Sequence, residues 1–271
     1  PEAFALTAEY SSVFHRFLSR ELRGYKAIRG QVTGPVSFGL KVVDEDLKPI
    51  IYNEEVRAIL FDFIQRKVNI QYQELKQRNP GAFVWVDEPG LSYVFSGYSG
   101  YNDRHAREDY LEFVQGLEGP KGLHLCAEVN LPYLLELGME ILSFDAYQIG
   151  FMPEEYAGSV ADFIKSGGVI AWGIIPTEST ALATRTPETL AGILSNYWEV
   201  ISKRAGLSLN QIARQALVAP ARCCLGDLGR INASGKTGCK CRISSIEEEL
   251  VEKAFACLSE LSQILKGKYG V

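Results

Sequence analysis

Short apolar, β-branched runs alternate along the chain with longer stretches in which apolar residues recur every three or four positions. The first pattern predicts strands at Ile28 to Thr33, Phe83 to Asp87, Gly122 to Cys126, Glu140 to Asp145, Val169 to Gly173 and Gln215 to Val218. The second predicts helices at Asn53 to Gln77, Arg104 to Gln115, Ala157 to Lys165, Pro187 to Lys203 and Ser245 to Lys266. Strand and helix in alternation is the pattern of a parallel sheet with crossover helices. The expectation is an α/β fold of the TIM (β/α)8 type, forming one domain over residues 1–271. Six predicted strands are two short of eight, and the chain opens in what reads as a helix already under way. The barrel is therefore expected to lack its N-terminal strand or strands in this sequence. An open doubly wound sheet is the other α/β solution, but no glycine-rich dinucleotide fingerprint follows a strand.

The composition narrows the classes of function. With 271 residues, 46% hydrophobic, the chain can bury one large core, and 28 basic against 33 acidic residues leave a formal charge of −5. That balance gives no reason to expect a nucleic-acid partner. No apolar run approaches the roughly 20 residues of a membrane helix, and Pro1-Glu2-Ala3-Phe4 has none of the features of a secretory signal. The expected compartment is the cytoplasm, without membrane contact. There the six cysteines are more at home in metal or redox chemistry than in a disulfide framework.

In parallel α/β folds the polar groups at the C-terminal ends of strands build the site. His124 and Cys126, two residues apart, fall on one face at a strand end, and imidazole with thiolate suits zinc; packing in the core is the competing use. Asp145 ends the next strand, where it can either ligate or bond backbone amides. The last strand runs into Ala219-Pro220-Ala221-Arg222-Cys223-Cys224 and brings thiols to a third strand end. A rival site lies in the tail itself, where Cys223, Cys224, Cys239 and Cys241 could hold a separate cluster, although their spacing is not the usual one. Within that tail Ser234-Gly235-Lys236-Thr237 imitates a phosphate-binding loop but lacks its first glycine. Asp87-Glu88-Pro89 places two carboxylates at another strand end, and the turn Thr33-Gly34-Pro35-Val36-Ser37 offers backbone donors and hydroxyls. These groups suit a substrate ammonium or base chemistry on one reading, and helix capping and turn geometry on the other.

Taken in order, Thr33 to Ser37, Val86-Asp87-Glu88-Pro89, His124-Leu125-Cys126, Leu142-Ser143-Phe144-Asp145 and Ala219-Pro220 through Leu225 resemble motifs of the cobalamin-independent methionine synthase family. The similarity is to its catalytic barrel, within the superfamily that also holds the uroporphyrinogen decarboxylases. It implies zinc held by His124, Cys126, Asp145 and Cys223, with Cys224 in reserve. It further implies a substrate site at Asp87, Glu88 and Ser37, with Asp87 on the substrate amino group. The implied activity is methyl transfer to a thiol, with homocysteine giving methionine.

Folate-dependent members carry a second barrel, and a His acid where this chain reads Ala171-Trp172-Gly173-Ile174. Neither is present in this sequence, so the expected donor is a methylcorrinoid, with a corrinoid protein as partner. Two other readings stand beside this one: a uroporphyrinogen-decarboxylase-like enzyme, and a non-catalytic corrinoid-binding or scaffold protein.

Overall fold

The computed structural model describes residues 4–96, 100–127, 130–222 and 240–271. They form two compact units, Pro1–Leu142 and Ser143–Val271. The first unit holds α1 (Ser12–Leu18), β1 (Ile28–Thr33), α2 (Pro35–Lys41), α3 (Glu54–Lys76), β2 (Ala82–Asp87), α4 (Asp103–Gln115), β3 (Lys121–Leu125) and α5 (Leu131–Leu135). A fourth strand, β4 (Ile141–Phe144), straddles the boundary. The second unit continues with α6 (Glu154–Lys165), β5 (Val169–Ile175), α7 (Ser179–Thr184), α8 (Pro187–Ala205), α9 (Leu209–Arg214), β6 (Ala216–Pro220) and α10 (Lys240–Tyr269).

The strands pair in parallel, as the strand and helix alternation requires. In the first unit Ile28 faces Ala82 and Thr33 faces Asp87, while Val84 faces Lys121 and Asp87 faces His124. In the second, Ile170 faces Ala216, with a register shift between Gly173 and Ile175. The architecture is α/β as expected, but the eight-stranded ring is not closed among the described residues. There β1 has a strand neighbour on one side, β2, and β6 likewise has β5 alone. The reason shows in β1 itself: Ile28 and Gly30 are buried, whereas Arg29, Gln31 and Thr33, on the face a closed barrel would enclose, stay exposed. No helix of the described residues is long and apolar enough to cross a membrane.

Two of the long helices, α3 and α8, begin where their sequences signal a start. Asn53 caps α3 by accepting from the Val56 amide at 3.2 Å, with Glu54 and Glu55 in the first turn and Lys76 in the last. Its apolar stripe, Leu60, Phe61, Ile64, Val68, Tyr72 and Leu75, is buried at helical spacing, and the helix packs on β1 and β2. Thr186 and Thr189 form a reciprocal cap on α8 with Pro187 in the first turn, and Gly206 ends the helix at φ 68°. The opening differs from the sequence expectation: among the described residues the first α-helix starts at Ser12, after a turn. Helices α2, α5, α7 and α9, of five to seven residues, were not anticipated, because such lengths span too few turns to display a period.

One buried carboxylate joins β2 to α2. Glu88 is fully buried and accepts from the amides of Val36 (3.0 Å) and Ser37 (2.8 Å), the Ser37 hydroxyl (2.6 Å) and the Tyr110 hydroxyl (3.2 Å). It thereby satisfies amide donors in the first turn of α2. Gly34 is required beneath it, since a Cβ there would lie 2.2 Å from the Glu88 carboxylate. Burial pushes the Glu88 carboxyl up to about 7, its four donors opposing this only in part.

A carboxyl raised in the folded state stabilises the fold below its unfolded value, and the contribution is lost as pH rises through its folded value. From about 4.5 to about 7 this loss is on the order of 3 kcal/mol. Glu88→Gln presents an amide N–H to donors, so we expect it to cost about 1–3 kcal/mol in urea unfolding of chelator-treated protein. The gap between wild type and variant should narrow as pH rises across that window. A gap of constant size would contradict the account.

Candidate metal centre

Asp87, the last residue of β2, stands opposite His124 of β3, and Cys126 follows one residue beyond the end of that strand. The carboxylate, imidazole and thiol each offer one ligand atom, all within 4.8 Å of one another. Among the described residues this is the one group of three or more such side chains with that geometry. His124 Nε2 lies 3.9 Å from Asp87 Oδ1, too far for a hydrogen bond. Two ligands at bonds of ~2.1 Å on a tetrahedral ion stand about 3.4 Å apart, so a closure of a few tenths of an ångström would seat both.

The two carboxylate oxygens of Asp87 have different surroundings. Oδ2 accepts from Gln31 Nε2 at 3.0 Å, while Oδ1, on the side of His124, is buried and accepts no hydrogen bond among the described residues. A buried acceptor left in this state costs roughly 1–3 kcal/mol, and a cation beside it would remove the cost. The residues present therefore fit a metal ion. Nitrogen, sulfur and carboxylate together match the ligand preferences of zinc, and three protein ligands leave one position open.

The local sequence explains how His124 is held. Register places Trp85 opposite Gly122, where a Cβ would come within 2.8 Å of the indole. The missing side chain makes room for Trp85, which packs against Phe83 with ring centroids 5.0 Å apart and against His124 at 6.3 Å. Beside Asp87 opens a cavity of about 760 Å3, lined by Thr33, Ser37, Lys41, Tyr52, Tyr93 and Ser96 among others. It is large enough for a small-molecule substrate.

The other residues singled out in the sequence take different places. Ser37 lines the cavity, but its hydroxyl donates to Glu88 and accepts from the Gly90 amide at 2.8 Å. Glu88 lies beneath α2, fully buried. Asp145 belongs to the second unit, where Oδ2 accepts from Arg222 Nε at 2.8 Å and Oδ1 from the Gln148 amide at 3.1 Å. Burial pushes its carboxyl up, and the bond from Arg222 opposes this only in part. Cys223, Cys224 and Cys239, and the side chain of Cys241, lie outside the described residues. Ile174 is fully buried within β5.

Sequence reasoning passed over Gln31 and Trp85. The alternation of β1 and β2 does carry the signal, because Gln31, Trp85 and Asp87 fall on the same face as His124. No model of a known protein family matches the chain, and no curated protein matches it.

The geometry leads to a direct expectation. Titration with zinc should show one tight site, and Asp87→Ala, His124→Ala and Cys126→Ser should each weaken it by at least tenfold, since each leaves an incomplete tetrahedral set. Changing Cys239 and Cys241 together to Ser should leave the affinity intact. If that double variant loses the metal and His124→Ala keeps it, the ion sits in the tail.

Proposed function

We propose that the chain is a zinc-dependent methyltransferase whose methyl acceptor is a thiol. The observation that carries this reading is the convergence of Asp87, His124 and Cys126 with one buried, unpartnered carboxylate oxygen. When bound, zinc lowers the pKa of a coordinated thiol, so that the substrate is a thiolate at neutral pH. His124 supplies a neutral nitrogen, whereas Asp87 and Cys126 each supply a negative charge. Their two charges offset that of the ion, which keeps electron density on the substrate sulfur.

The cavity beside Asp87 is the route for the acceptor. Its hydroxyl-bearing wall at Thr33 and its cationic group at Lys41 suit a small polar thiol with a carboxylate, of which homocysteine is the example. Tyr52 and Tyr93 add aromatic surface to the same wall.

The donor in this proposal is a methylcorrinoid, with a corrinoid protein as its carrier. Position 174 in β5 is Ile, an apolar side chain fully buried. It offers no proton to a leaving nitrogen, and general acid help is typically worth about a hundredfold to ten-thousandfold in rate. With a methylcorrinoid the thiolate sulfur would form the new bond to the methyl carbon as the cobalt–carbon bond breaks, its electron pair staying on cobalt as Co(I), so no proton is needed at the leaving group.

The test supplies homocysteine and zinc-loaded protein with either methylcobalamin or methyltetrahydrofolate, and quantifies methionine. We expect turnover with methylcobalamin, loss of most of it in Cys126→Ser, and little product from the folate. Rapid turnover with methyltetrahydrofolate alone would overturn the donor assignment, and no methylation of any thiol in zinc-loaded protein would overturn the activity.

A further inference from the structure

We propose that Gln31 is a positioning residue for the metal centre, orienting the Asp87 carboxylate so that one oxygen is held by the protein and the other is presented to the ion. This rests on the metal reading of Asp87, His124 and Cys126. Gln31 sits on the edge strand β1, one strand away from the ligand it touches, and donates from Nε2 to Asp87 Oδ2 at 3.0 Å.

The direction of that amide is not arbitrary. Its Oε1 accepts from Arg29 Nη1 at 3.3 Å, and a guanidinium is a donor with no acceptor capacity. The oxygen of the amide therefore turns to Arg29 and the nitrogen to the carboxylate, which can only accept. The Gln31 carbonyl in turn accepts from Gln71 Nε2 at 3.4 Å, tying the strand to α3 at the same residue. Arg29, Gln31 and Asp87 thus form a polar chain with a single sense of donation.

The second torsion of an aspartate side chain is broad and nearly two-fold, so an untethered Asp87 would sample orientations that turn Oδ1 away from His124. The Gln31 bond removes that freedom and leaves Oδ1 buried and unpartnered, 3.9 Å from His124 Nε2. An outer partner that fixes a ligating carboxylate in this way is typically worth about tenfold to a hundredfold in metal affinity.

The experiment is a double-mutant cycle on zinc affinity, read by competition with a chromophoric chelator. Gln31→Leu keeps the bulk and removes both hydrogen bonds, and since Gln31 is exposed on an edge strand the fold should tolerate it; Gln31→Ala serves as a second variant. We expect Gln31→Leu to bind zinc about tenfold to a hundredfold more weakly with unchanged stoichiometry. In the Asp87→Ala background the same change should have no further effect, because the two residues act as one unit. Substituted with cobalt, Gln31→Leu should keep its thiolate charge-transfer band from Cys126. Wild-type affinity in Gln31→Leu, or an equal loss with and without Asp87, would overturn the proposal while the metal reading stands. If Asp87→Ala itself binds zinc as wild type does, Asp87 is not a ligand and the role of Gln31 falls with it.

Discussion

Asp87 meets His124 because β2 and β3 pair in parallel with Val84 opposite Lys121. Strand side chains alternate between faces, so a slip of one residue would carry His124 to the helix side and replace it with an apolar neighbour. The packing of β2 and β3 opposes the slip. Val84, Val86, Leu123 and Leu125 are almost wholly enclosed on the face away from His124, and a slip would break their fitted contacts. The Trp85 indole over Gly122 holds the same register from the other face. The meeting of Asp87 and His124 thus derives from strand pairing and core packing.

Two adjacent carboxylates show how a single strand end serves two purposes. Asp87 lies on the face of His124, while Glu88, one residue on, turns under α2 and is consumed by four donors. The backbone supports both, since the Glu88 amide donates to the His124 carbonyl at 2.8 Å and the Gly34 amide to the Asp87 carbonyl at 2.9 Å. The turn after β1 is thereby locked to the end of β2, and the cavity beside Asp87 has a fixed wall. In this arrangement Glu88 is the architectural acid, and Asp87 is the one left facing His124 and the cavity.

Much of this was legible in the sequence, and the exceptions have physical causes. Ile28 to Thr33 agrees to the residue, and the long helices agree to within a few positions, because each shows several periods. The pairing of His124 with Cys126 followed from alternation alone. The place of Asp87 beside them did not, because the register that sets it opposite His124 and the bond from Gln31 are contacts between strands far apart in sequence. Ser37 and Glu88 are equally opaque, since a hydroxyl and an acid 51 positions apart in the sequence do not reveal that they bond to each other. The open ring agrees with the strand count, since the sequence shows six strands and the described residues pair six.

The claim on which the rest turns is a mixed ligand set from β2 and β3. X-ray absorption at the zinc edge of the loaded protein measures it without any variant. The account predicts sulfur at ~2.3 Å together with nitrogen or oxygen at ~2.0–2.2 Å. A shell of four sulfurs would place the ion among the tail cysteines, and a shell without sulfur would remove Cys126 from it; either result would contradict the centre described here.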